Sequence, residues 1–156
     1  MSFLFFLLLK IFIVVPETSP DLYGYFAAST PCSSELKTFL KIPAAEKCDQ
    51  IKWKIYLYNR PGTQTPEKFR IVREFIYYVD NRTDKNMGTA TIEGHWKVEQ
   101  GQASGKAATI LQLTSTDGSV IRFRKLDDNL LHLLNNQNYL MVGDAGYGYT
   151  FSRIKN

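Results

Sequence analysis

The residues with the most chemistry to offer are two cysteines, two histidines and a methionine: Cys32, Cys48, His95, His132 and Met141. Cys32 and Cys48 are the whole cysteine supply, and they frame the stretch "SSELKTFLKIPAAEK". Such a pair could clamp a loop, hold a metal or do redox chemistry. There is no C-x-x-C and no histidine pair at i, i+4, so no standard zinc spacing is present. His132, in "NLLHLL", and Met141, in "YLMVG", fall on the two arms of an expected hairpin. A nitrogen and a thioether sulfur on facing strands suit copper. With the cysteines they make a candidate metal set of Cys32, Cys48, His132 and Met141. His95 precedes Trp96 on an expected strand, and both histidines also read as ordinary packed or rim residues.

Catalytic patterns are missing. The nucleophile elbow G-x-S-x-G is absent. "GQASGKA" is one residue short of a phosphate loop, lacks Ser or Thr after Lys106, and sits between strands. "GDAGYG" does not match G-x-G-x-x-G. Asp127 and Asp128 fall in a turn where solvation accounts for them, and no acid/base pair stands out by spacing. No catalytic residue is assigned, and a non-enzymatic role is expected. "IRFRK" (Ile121 to Lys125) interleaves aromatic and basic residues, as an oligonucleotide-binding face would. Plain alternation accounts for it: Ile121 and Phe123 inward, Arg122 and Arg124 outward. The net charge of +4 is mild and spread along the chain, so no nucleic-acid partner is expected.

The elements that position these residues read as strands. The chain has 156 residues, with nine Tyr and ten Phe, which suits one β-rich domain with a real core. Its first stretch, "MSFLFFLLLKIFIVV", is apolar but falls short of the roughly 20 residues that span a bilayer. It resembles the apolar core of a secretory signal, without a positive n-region, an A-x-A site or a following lipidation cysteine. "PETSPD" then reads as a linker. Residues 1–20 are therefore expected to be a signal-like segment and linker, and 21–156 a single domain. Export would place the chain in an oxidising compartment where a Cys32–Cys48 disulfide can form. The segment would also bring the protein to a membrane.

"LYGYFAAS" reads as a first strand. Ser33 or Ser34 can cap a short helix, "SELKTFLK", with Leu36, Phe39 and Leu40 on one side, and Pro43 stops it. "AAEKC" adds a further helical turn. "IKWKIYLY", "FRIVREFIYYV", "TATIEGHWKVEQ", "AATILQLTS", "SVIRFRKL", "NLLHLL", "YLMVG" and "YGYTFSRI" alternate like strands joined by tight turns. Eight or nine short strands in sequence predict an all-β antiparallel meander. A small barrel is the economical closure, since it removes exposed edges, and a two-sheet sandwich is the alternative.

The barrel interior would hold Trp53, Phe75, Tyr77, Leu111, Phe123, Tyr149 and Phe151, either as a packed core or as the lining of a small apolar pocket. Arg73 shares its phase with Phe69, Ile71, Phe75, Tyr77 and Val79. It either points into the barrel, where it needs a carboxylate or an aromatic face such as Trp53, or is turned out by a β-bulge.

Several stretches resemble, in the same order, the N-terminal barrel domain of the NlpE-type copper-resistance lipoproteins. These are "LYGYFAASTPC", "KCDQIKWKIYLY", "EGHWKV", "LTSTDGSVIRF", "DDNLLHLL" and "YGYTFSRI", together covering Leu22 to Ile154. The resemblance implies a lipocalin-like antiparallel barrel in the envelope of Gram-negative bacteria. It implies links to copper homeostasis, adhesion sensing and envelope stress, and a partner that is an envelope protein or a small apolar ligand. The location would be periplasmic, outer-envelope associated or secreted. The family usually has C-x-x-C after its first strand. Here Cys32 and Cys48 match those two cysteines with a helical insert between them, as in insert-bearing branches of the family. On this comparison the cysteines are a structural clamp, a disulfide tying the insert to the barrel mouth, worth roughly 3 kcal/mol. No cofactor is expected beyond the copper that the candidate set would hold.

Overall fold

Alternation builds the wall of this molecule. In the strand "IKWKIYLY" Ile51, Trp53, Ile55 and Leu57 are buried, while Lys52 and Lys54 lie on the other phase. A computed structural model describes residues 19–79 and 83–155. The elements run β1 (Asp21–Pro31), α1 (Ser34–Phe39), β2 (Gln50–Asn59), β3 (Pro66–Val79) and β4 (Thr83–Ala103). They continue with β5 (Lys106–Ser115), β6 (Val120–Lys125), β7 (Leu130–Leu134) and β8 (Thr150–Arg153). Each strand pairs antiparallel with the next, and β8 returns to β1 through Phe26↔Arg153 and Ala27↔Ser152. Among the described residues the result is a closed eight-strand meander barrel with one short helix, the architecture expected from the sequence. The signal-like segment at 1–15 lies outside the described residues.

β4 is the longest strand and changes partners along its length. It pairs with β3 from Thr83 to His95 and with β5 from Gly94 to Ala103. Gly94 sits at the changeover, where a Cβ would meet Thr114 O at 2.1 Å and Ser115 Cα at 2.7 Å. Only glycine allows so close an approach between the two strands. Before Gly94, β4 is paired by β3 alone, so the wall between β4 and the β5–β6 turn has to be covered by something else.

The centre of the barrel is filled. Trp53, Leu111, Phe123, Tyr149 and Phe151 are all essentially inaccessible. Phe151 packs edge-on against both Trp53 and Phe123, with ring centroids 5.6 and 5.0 Å away, a favourable quadrupole arrangement. The Trp53 indole N–H donates to Thr30 Oγ1 at 2.9 Å, which satisfies two buried polar groups at once.

Four expectations are corrected. Tyr77 does not join the interior: it is half-buried with the Lys47 ammonium 5.2 Å from its ring. The register explains this. Phe75 opposes Gly88 and Ile76 opposes Asn86, so β4 bulges here, and Gln50↔Ile76 is the last pair with β2, which leaves Tyr77 past the end of the β2 wall. Ile76, in the outward phase, is buried instead beside its cross-strand partner Gln50. "YLMVG" is not a strand: it meets β7 through an isolated bridge, Leu134↔Leu140, and a bond from Met141 N–H to Leu133 O, without a ladder, and β7 pairs with β8. The last strand is shorter than "YGYTFSRI", covering Thr150–Arg153. "AAEKC" forms no helical turn; a single bond from Glu46 N–H to Pro43 O closes a bend there.

Candidate functional site

The insert between β1 and β2 makes one end of the barrel distinct from the other. Cys32 and Cys48 are joined in a disulfide, with Cα atoms 5.7 Å apart. This is normal bridging geometry, and it ties the two ends of the insert where β1 stops and β2 starts. Ser33 caps α1: its Oγ accepts from Leu36 N–H at 3.2 Å and is 2.9 Å from the Tyr149 hydroxyl. That hydroxyl is held high in its pKa by burial. The cap therefore anchors the helix to the interior side of the loop entering β8. Leu36 is fully buried, and Phe39, Leu40 and Ile42 pack against the core. The far half folds back through Lys37 Nζ, which donates to Glu46 O at 2.6 Å. The insert is a plug, with its apolar side set into the barrel mouth.

Arg73 lies beneath that plug and points inward, as one of its two sequence readings required. Its cross-strand partners are Trp53 on β2 and Ala90 on β4. It is 8% exposed. The guanidinium carbon lies 5.7 Å from the Trp53 ring centroid and 5.7 Å from that of Phe75. Two aromatic faces supply part of what hydration would. Yet Nε and Nη1 are buried without a hydrogen-bond partner among the described residues. Burial lowers the pKa of the group, but a guanidinium starts so high that it stays charged at neutral pH.

Two clefts meet at this guanidinium. One, of about 360 Å³, runs between the insert's Phe39 and Leu40 and the inner residues Ile92 and Ile121, with Ser115 and Asp117 on its rim. The other, of about 380 Å³, runs along Leu40 and Ile42 to Phe75 and Gly88, with Glu46 on its rim. Leu40 and Lys41 form the strap between them, with Lys41 in a left-handed conformation (φ 56°). The space has a cause in the sequence. On β4 the residues opposite Phe75 and Arg73 are Gly88 and Ala90, too small to fill the mouth.

The candidate copper set is not assembled as a donor set. Both cysteine sulfurs are consumed in the disulfide. His132 faces outward, with Nδ1 2.9 Å from Thr150 Oγ1 and Nε2 2.9 Å from the backbone oxygen of Met141. The Met141 side chain is buried in the core. The residues present do not fit a copper ion, and among the described residues no group of three or more His, Cys, Asp or Glu gathers around a common point. His95 lies on the outer phase of β4, Nδ1 3.1 Å from Glu67 O.

Spacing identified Arg73, Trp53 and Phe75 as neighbours. It missed the strap at Leu40–Lys41, the small pair Gly88 and Ala90, and the rim residues Ser115 and Asp117. A glycine and an alanine in the inward phase opposite large residues were the legible signal. No family model matches the chain, nor does any curated protein or solved structure.

Proposed function

We propose that this protein is a non-enzymatic binding module of the bacterial cell envelope, whose barrel mouth receives a small, largely apolar ligand beneath the disulfide-clamped insert. The observation that carries this reading is the pair of clefts flanking Arg73 between the insert and the β4 wall. Their volumes fall in the range of small-molecule sites, about 300–1,000 Å³. The disulfide fits an exported chain, since such bonds persist in oxidising compartments. On the resemblance to NlpE-type proteins, the module would act in envelope-stress or copper-tolerance signalling, with ligand occupancy as its input.

Titration of the purified full chain with a neutral, environment-sensitive naphthylamine dye tests the reading. One-site saturable binding in the micromolar range is expected, and Ile92→Trp, which fills the first cleft, should weaken it about tenfold or more. Absence of saturable binding removes the ligand-binding role. Cell fractionation should recover the oxidised chain with the envelope; a cytoplasmic chain carrying two free thiols removes the compartment.

A further inference from the structure

Arg73 is the least expected residue in the molecule. A guanidinium this buried is ordinarily matched by a carboxylate, because uncompensated burial of charge is costly. None of the ion pairs among the described residues includes it. The acids that line the two clefts are otherwise engaged or peripheral. Asp117 accepts from the Ser115 hydroxyl and the Ser119 N–H, and Glu46 stands at the rim of the second cleft. The ring contacts with Trp53 and Phe75 orient the group but leave Nε and Nη1 without acceptors; Nε shares one edge of the guanidinium with Nη2 and Nη1 shares the other, and a carboxylate can grip either edge.

We propose that Arg73 receives the head group of the ligand, and that the ligand is a monocarboxylate with an apolar tail. The inference rests on the binding role proposed above and names the chemistry of that site. A carboxylate on either edge of the guanidinium supplies an acceptor that Nε or Nη1 lacks. The tail lies in the cleft between Phe39 and Leu40 on one side and Ile92 and Ile121 on the other. Lys41 lines both clefts, and each cleft carries one acid on its rim. This near balance of charge favours a ligand with a single negative charge over a phosphate dianion. Arg is suited to the task where Lys is not, since its flat fork binds both carboxylate oxygens while its face stays on the rings.

The test compares octanoate with 1-octanol on the purified full chain at neutral pH by calorimetry, then repeats it on Arg73→Met, which keeps side-chain length without charge. Wild type should bind the acid about tenfold or more tighter than the alcohol, as a charge-assisted pair requires. Arg73→Met should bring the ratio to about one while octanol still binds. Equal binding of the two by wild type overturns the head-group assignment and leaves the apolar site standing. A preference for octanoate that persists in Arg73→Met overturns it too, by placing the charge elsewhere. If neither compound binds, the ligand-binding role falls and this inference with it. The wild-type comparison needs no variant, so a misfolded Arg73→Met protein does not shelter the idea.

Discussion

A single charged side chain can be placed by a pattern and still be left incomplete by it. Alternation put Arg73 in phase with Phe69 and Ile71, and the continuous register Trp53↔Arg73 keeps it there. What alternation could not say is that no acid would meet it, because that depends on strands and loops distant in sequence. Asp117 shows the opposite case, a charge satisfied chiefly by near neighbours. Its exposed carboxylate is held down at about 2, chiefly by the Ser115 hydroxyl and then by Ser119. The unfolded value is about 3.9. A depressed folded value means that its contribution to stability is complete above the unfolded value and is lost as pH falls through about 2. Thermal unfolding of wild type and Asp117→Asn should therefore differ at neutral pH and converge between about pH 4 and pH 2. A difference that stays constant across that window would remove Asp117 as the anchor of the β5–β6 turn.

At the level of elements, the insert was the most legible and the loop before β8 the least. Ser33, the Leu36–Phe39–Leu40 spacing and Pro43 define a capped helix whatever surrounds it, and α1 is found at Ser34–Phe39. "YLMVG" carries the same local preference as a strand, yet it makes only one bridge. β7 has one edge on β6, and β8 takes the other. Local propensity cannot foresee that competition. The insert depends on its clamp. Reducing Cys32–Cys48 should lower unfolding stability by about 3 kcal/mol, read from the denaturant midpoint, since the bridge closes a loop of moderate length. The far-ultraviolet spectrum should keep its β signature, because β1 and β2 are paired along their length without the bridge. An unchanged midpoint would show that the insert is held by packing alone.

For the molecule as a whole, closure is the feature on which the interior depends, and the closing seam is its shortest ladder. β1 and β8 share two residue pairs. Arg153 reinforces them: Nη1 donates to Tyr23 O and Nε to Asp128 O, both at 2.7 Å. Its guanidinium lies 4.6 Å from the Phe26 ring centroid and 5.1 Å from that of Tyr23. Gly24 leaves room for it, since a Cβ there would come within 2.5 Å of Arg153 Nη1. Arg153→Ala should cost about 2 kcal/mol through lost charge-assisted bonds and ring contact. Hydrogen exchange should then quicken first at β1 and β8. Uniform exchange across all strands would mean that the seam is no weaker than the rest of the wall.

The sequence by itself determined most of the strands, the phase of most side chains and the capped helix of the insert. Each of these follows from residues within a few positions of one another, through alternation, helix spacing, proline and glycine. Tertiary structure alone decided that Cys32 and Cys48 meet, that β8 closes on β1 and that Tyr77 leaves the interior. It also decided that an unpaired Arg73 faces two clefts. These outcomes depend on where distant segments come to lie, and a chain fixes those positions only when its whole buried surface is assembled at once.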